Sequence, residues 1–159
     1  MSQFSEALLA GVGLVAIQWA KVEYELKAHT SALAGKDTGG LPVDDIDVSF
    51  KRLRRVWLDQ MRKHRPRDAI KAEQMIDTIV PLSNQRAIMV HGHWRTTDKR
   101  GKYRVRTARQ KRQQVEWEEY EASPALLRKI ANEIADAHAN LRRLTRGKHG
   151  SKHPNRFLV

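Results

Sequence analysis

The chain has no cysteine. That excludes disulfides and thiolate metal sites and fits a reducing compartment, so a cytoplasmic location is expected. It also lacks the run of roughly 18 uninterrupted apolar residues that a membrane span needs. Its most apolar stretch, 7–20, is broken by Gln18 and carries Gly11 and Gly13. With no basic leader or cleavage pattern around it, neither a secretory signal nor a membrane partner is expected. Gly11-Val12-Gly13 is no phosphate loop, because no lysine follows it at the required spacing. No internal repeat is present. Histidines at His91 and His93 lack further ligands nearby in sequence, and tetrahedral zinc needs more donors than these. No metal and no cofactor are expected.

Acidic residues are scarce as well. Thirty Lys/Arg stand against eighteen Asp/Glu in 159 residues, a formal net charge of +12. Such a chain seeks polyanions, with nucleic acid the first class to consider. The cations cluster: nine Lys/Arg and one acid, Asp98, lie between Arg95 and Arg112, and a second group runs from Lys51 to Lys71. This footprint is independent of sequence and does not by itself identify a partner.

Hydrophobic periodicity gives the architecture. Phe4, Leu8, Val15, Trp19, Val22, Leu26 and Leu33 recur at helical steps and predict a long first helix capped by Ser2 or Ser5. Gly35, Gly39, Gly40 and Pro42 predict the loop that ends it. A second helix is expected from about Asp47 to near Pro66, burying Phe50, Leu53, Val56, Trp57 and Met61. Lys51, Arg52, Arg54 and Arg55 lie on its other face. A third starts around Arg67, with a kink or short break expected at Pro81, and ends at Gly92. The period then becomes two. Trp94 and Thr96 alternate with polar neighbours, as do Tyr103, Val105 and Thr107, which predicts a hairpin over about 93–108 with one strongly cationic face. Ser123-Pro124 caps and opens a last helix through Leu144. Trp19 and Trp57 are expected in the core, with Trp94 packed under the hairpin. The fold class is therefore mainly α: a four-to-five-helix up-down bundle with a small β-hairpin inserted before the last helix. It occupies residues 1–144, followed by a basic, disordered tail over 145–159.

The chemistry concentrates in Arg86-Ala87-Ile88-Met89-Val90-His91-Gly92-His93-Trp94. Arginine is a permanent cation with a fork that suits phosphate, and histidine titrates near neutrality. Together they suffice, in principle, to cleave an RNA phosphodiester without metal. On an ideal helix the two lie about 140° apart with about 7.5 Å of rise, so they do not share a face automatically. Glu23, beside the buried stripe of the first helix, either orients Arg86 or His91 or pairs with Lys27 one turn on.

Arg86 and His91, with Gly92 and Trp94 after them, and Gln18-Trp19-Ala20-Lys21-Val22-Glu23 in the first helix resemble the HEPN superfamily. That superfamily consists of small helical bundles marked by arginine, four to six residues, then histidine, here in its His-Gly-x-Trp form. The likeness covers roughly Phe4 to Leu144. It implies Arg86 and His91 as catalytic residues, with Glu23 and His93 in support. It also implies a metal-independent endoribonuclease of toxin or defence type, acting as a homodimer and met by an antitoxin or other partner protein. Lys102, Arg104, Arg106 and Arg109, with Arg52 and Arg55, are then expected to track an RNA backbone. The family usually has a polar residue after the arginine, where this chain has Ala87. That departure supports the alternative of a non-catalytic nucleic-acid-binding, adaptor or structural module, such as a mobile element encodes.

Overall fold

The computed structural model describes residues 4–38, 49–97, 102–111 and 114–146. It is mainly helical, with four α-helices and a small antiparallel sheet inserted before the last. Helix α1 spans Glu6–Thr38. Ser5 starts it: its hydroxyl accepts from the Leu8 amide at 3.2 Å, which satisfies one of the free N–H groups of the first turn. The stripe from Leu8 through Leu33 is buried throughout, with Phe4 packed against it. The helix runs past Gly35, where the sequence predicts a loop. Burial of Leu33 and Ala34 outweighs the roughly 1 kcal/mol that a helical glycine costs.

Helix α2, Phe50–His64, begins after Ser49, whose side chain accepts from the Arg52 amide. Asp47, the expected start, lies outside the described residues. Leu53, Trp57 and Met61 are buried, and the Trp57 indole donates to His29 Nδ1 of α1 at 2.9 Å. A single 3-10 turn, Pro66–Asp68, leads into α3, Ala69–His91. Pro81 sits inside α3 without breaking it. The proline is exposed, so the carbonyl that loses its amide partner faces water rather than the core.

The expected hairpin is the first two strands of a three-stranded sheet. Strand β1, His93–Thr96, pairs with β2, Tyr103–Lys111, and β2 pairs with β3, Gln114–Ala122. Tyr103, Val105 and Ala122 are buried toward the helices. The Tyr103 hydroxyl accepts from the Ser5 amide at 3.3 Å, fastening the sheet to the start of α1. Helix α4 spans Pro124–Arg146 and opens as Ser123-Pro124 predicts, with the Ser123 hydroxyl accepting from the Leu126 amide. It packs along α1, where Gly11 admits Leu127: a Cβ at Gly11 would lie 2.9 Å from the Leu127 side chain.

The folded unit extends slightly beyond the expected boundary at 144. Thr145 is buried and its hydroxyl donates to Glu25 at 2.6 Å. Arg65 donates to the carbonyls of Leu144 and Thr145, placing a cation at the negative end of α4. The rest of the expected tail lies outside the described residues. By length and composition, the 6–35 part of α1 is apolar enough to cross a membrane, although one side of it forms the bundle core.

Candidate functional site

The last two turns of α3 carry the arginine and the histidine, and the structure brings them together. Arg86 Nη1 lies 3.2 Å from His91 Nε2. Guanidinium groups only donate, so Nε2 is the acceptor and carries no proton in this arrangement. The 140° offset of an ideal helix, about what five residues produce, is overcome by the reach of the two side chains. His91 is the final helical residue and is exposed.

Three features fix this geometry. The first is Trp19 of α1, fully buried, over whose ring the Arg86 guanidinium sits at 5.9 Å from the centroid. Phe50 of α2 meets the same indole edge-on at 4.9 Å, so the first turn of α2 also packs onto this cluster. The second is Gly92. Its φ of −68° and ψ of 158° suit any residue, so the requirement is one of space. A Cβ there would lie 2.1 Å from Val105 Cγ1 and 2.4 Å from the Ile88 carbonyl oxygen. Only glycine lets β2 close over the helix end. The third is Trp94, whose indole donates to the Met89 carbonyl at 3.1 Å and stands edge-on to Tyr103. It therefore packs beneath the sheet, as expected.

Arg86 is otherwise under-satisfied. Its Nε is buried and has no hydrogen-bond partner. An arginine held over an aromatic ring, with one donor spent on a neutral imidazole and another unused, retains its full charge for an incoming anion.

The supporting residues fare differently. Glu23 is half-buried and makes no ion pair with Arg86, His91 or Lys27; Trp19, one turn earlier, is the α1 residue that meets Arg86. His93 is exposed on β1 at the register position facing Arg106. It lines a shallow cleft of about 660 Å³ with Phe4, Trp94, Arg95 and Thr96.

The hairpin cations are not the bare cationic face that alternation suggests, because β3 lies beside them. Lys102 pairs with Glu121 at 3.4 Å and Arg104 with Glu119 at 3.0 Å. Arg106 sits 4.5 Å over the exposed Trp117 ring. Arg109 occupies the register position opposite Glu116. The Lys102–Glu121 and Arg104–Glu119 pairs are exposed and worth little to stability, but they lower the local field that an RNA would meet. On α2, by contrast, Arg52 and Arg55 are exposed and line a cleft of about 530 Å³ with Lys51, Arg54 and Leu58. Arg62 at the far end of that cleft is held by Asp59 and Glu73, whose hydrogen bond and charge raise its already high pKa.

Two features are not expected from the sequence: the acids of β3 and the contact of Trp19 with Arg86. The acids had a signal: a strand with cations at alternate positions is stabilised by a neighbour bearing acids at matching ones. Comparison with protein-family models, curated proteins and solved structures finds no match to this chain.

Proposed function

We propose that the chain is an RNA-binding, HEPN-like protein that cleaves RNA without metal at the Arg86–His91 pair. The observation that carries this reading is the 3.2 Å contact between Arg86 Nη1 and His91 Nε2 at an exposed helix end. A phosphodiester entering here competes for the guanidinium, whose fork binds two phosphate oxygens better than one imidazole nitrogen. Drawing Arg86 onto the phosphate frees the Nε2 lone pair. His91 then takes the 2′-hydroxyl proton as general base while the 2′-oxygen attacks phosphorus. The bond to the 5′-oxygen breaks, that oxygen takes a proton from water, and Arg86 offsets the charge developing on the phosphoryl oxygens. The products are a 2′,3′-cyclic phosphate and a 5′-hydroxyl. The free cations of the α2 cleft, Lys51, Arg52, Arg54 and Arg55, would hold the strand beyond the reacting phosphate.

A second reading, a non-catalytic nucleic-acid-binding or adaptor module, is favoured by Ala87 and by the acids set against Lys102 and Arg104. One assay separates the two. Purified protein is incubated with mixed RNA in EDTA, and Arg86→Ala and His91→Ala are compared after circular dichroism confirms their folds. Metal-independent cleavage, reduced by about 10²-fold or more in each variant, is expected. Cutting that neither variant diminishes refutes the assignment, and RNA retention without cutting selects the second reading.

A further inference from the structure

Helices α1 and α4 run side by side, and the groove between their outer sides combines apolar surface with unpaired cations. Ile17, Ala20 and Tyr24 recur at helical steps on α1 and form an apolar wall, with Ile17 58% and Tyr24 64% exposed. Lys21 stands beside them, and Arg142 and Arg146, one turn apart on α4, line the other side. The groove has a volume of about 610 Å³, within the range of small-molecule sites. Its cations are not neutralised from within. Among the described residues neither Lys21 nor Arg146 has an ion-pair or hydrogen-bond partner. The one acid lining the groove, Glu25, accepts from the Thr145 hydroxyl at 2.6 Å and only approaches Arg142 Nε, at 4.0 Å. His138 lies one turn before Arg142. Burial, and then the charges of Arg142, Lys21 and Arg146 against that of Glu25, keep its imidazole below the ordinary histidine pKa.

We infer that this groove binds a small organic phosphate monoester with a flat aromatic body, of which a nucleoside monophosphate is the simplest. Charge selects the head. Lys21, Arg142 and Arg146 against Glu25 leave two positive charges uncompensated. A carboxylate brings one negative charge, whereas a phosphate monoester brings about −1.5 to −2 at pH 7 and three acceptor oxygens. Those oxygens suit two guanidinium forks set one turn apart, with the Lys21 ammonium across from them. Shape selects the body. The exposed Tyr24 ring gives a flat ligand a surface to stack on, and Ile17 and Ala20 extend that surface along α1. An acyl chain gains most from enclosure on all sides, which an open groove with Ile17 and Tyr24 this exposed does not provide. A free nucleotide and the phosphorylated end of an RNA share this chemistry. Trp19, beneath Arg86, lies on the core side of α1, and the groove lies on its solvent side. The inference therefore does not depend on cleavage at the Arg86–His91 pair, and either can fail without the other.

The probe is AMP, titrated by calorimetry into the full chain in EDTA. A dissociation constant on the order of 100 μM is expected, within the bound for a ligand of its size. Adenosine and inorganic phosphate, each carrying half of the recognition, should bind at least about tenfold more weakly. Arg142→Gln combined with Arg146→Gln should weaken AMP by about tenfold, and Tyr24→Ala should weaken it several-fold, with circular dichroism spectra unchanged. Arg86→Ala should leave AMP binding as it is. His138 supplies a readout that a merely structural role would not move. Bound phosphate favours the imidazolium against the field of Lys21, Arg142 and Arg146. The His138 ring-proton resonance, assigned by its loss in His138→Gln, should therefore titrate at higher pH with AMP than without it. Displacement of AMP from this resonance by a 5′-phosphorylated RNA oligonucleotide, and not by its 5′-hydroxyl form, identifies the RNA end as the source; no displacement by either identifies the free nucleotide. AMP bound no more tightly than inorganic phosphate overturns the inference, as does octyl phosphate bound more tightly than AMP. Binding untouched by the double arginine variant also overturns it. So does binding lost in Arg86→Ala, which would instead support an anion site at the Arg86–His91 pair.

Discussion

Replacing Gly92 by alanine tests how the helix end is built. The backbone there is extended and open to any residue, so alanine loses less conformational entropy on folding. In the absence of contacts it would stabilise the protein by about 0.4–1 kcal/mol. Space reverses the sign. The new methyl would lie 2.1 Å from Val105 Cγ1 and 2.4 Å from the Ile88 oxygen. Val105 is fully buried in the middle strand, and the carbonyl accepts the Gly92 amide at 2.9 Å, so neither can move alone. Overpacking of this kind costs about 1–3 kcal/mol, and the backbone contact argues for the upper part of that range. Gly13→Ala is the internal control, since its methyl meets nothing within the fold and should stabilise α1 by about 0.5–1 kcal/mol. Urea unfolding of both variants should move the midpoints in opposite directions. Equal midpoints, or a stabilised Gly92→Ala, would refute the close approach of β2 to the end of α3.

Two further outcomes follow from local geometry. Ser123→Ala removes the oxygen that accepts from the Leu126 amide and should cost about 1 kcal/mol in the urea midpoint. A shift within about 0.2 kcal/mol would mean that water caps α4 equally well. His138, in the groove between α1 and α4, is held below the ordinary histidine pKa by burial. Arg142, Lys21 and Arg146 add to the fall and Glu25 opposes it. The unfolded chain therefore takes up this proton first. Stability is full above about pH 6.5 and is lost as pH drops from there through the lower folded value. His138→Gln should flatten that acid-side decline in thermal melts; an unchanged slope would place its cause elsewhere.

The helices were legible because their cores are periodic: Leu8 to Leu33 in α1 and Leu53, Trp57 and Met61 in α2 repeat at helical steps and are buried. Their caps, Ser5 and Ser123, were legible for the same local reason. Strand β3 was not. Val115 and Trp117 lie exposed, while Glu118 and Tyr120 share the inner-face register with Thr107 and Val105. Hydrophobic alternation thus points the wrong way along this edge strand, and only the acids facing Arg104 and Arg106 in register betray it. The α2 cations were read correctly as an outer face, because amphipathicity alone decides it. The hairpin cations were misjudged as bare because their partners come from the unread strand.

The Arg86–His91 contact belongs to a third kind of feature, set by side-chain length rather than by periodicity. A helical wheel separates the two residues, with about 7.5 Å of rise between them, yet their side chains meet at 3.2 Å. A lysine could span a similar distance, but only the planar guanidinium can rest on the Trp19 ring and still present separate N–H groups to the imidazole and to an anion. The spacing therefore works only because α1 supplies the tryptophan and Gly92 lets the sheet close behind the histidine. Neither residue is adjacent to Arg86 in sequence. Two residues outside the motif thus hold its geometry: Trp19, buried beneath the guanidinium, and Gly92, which has no room for a Cβ.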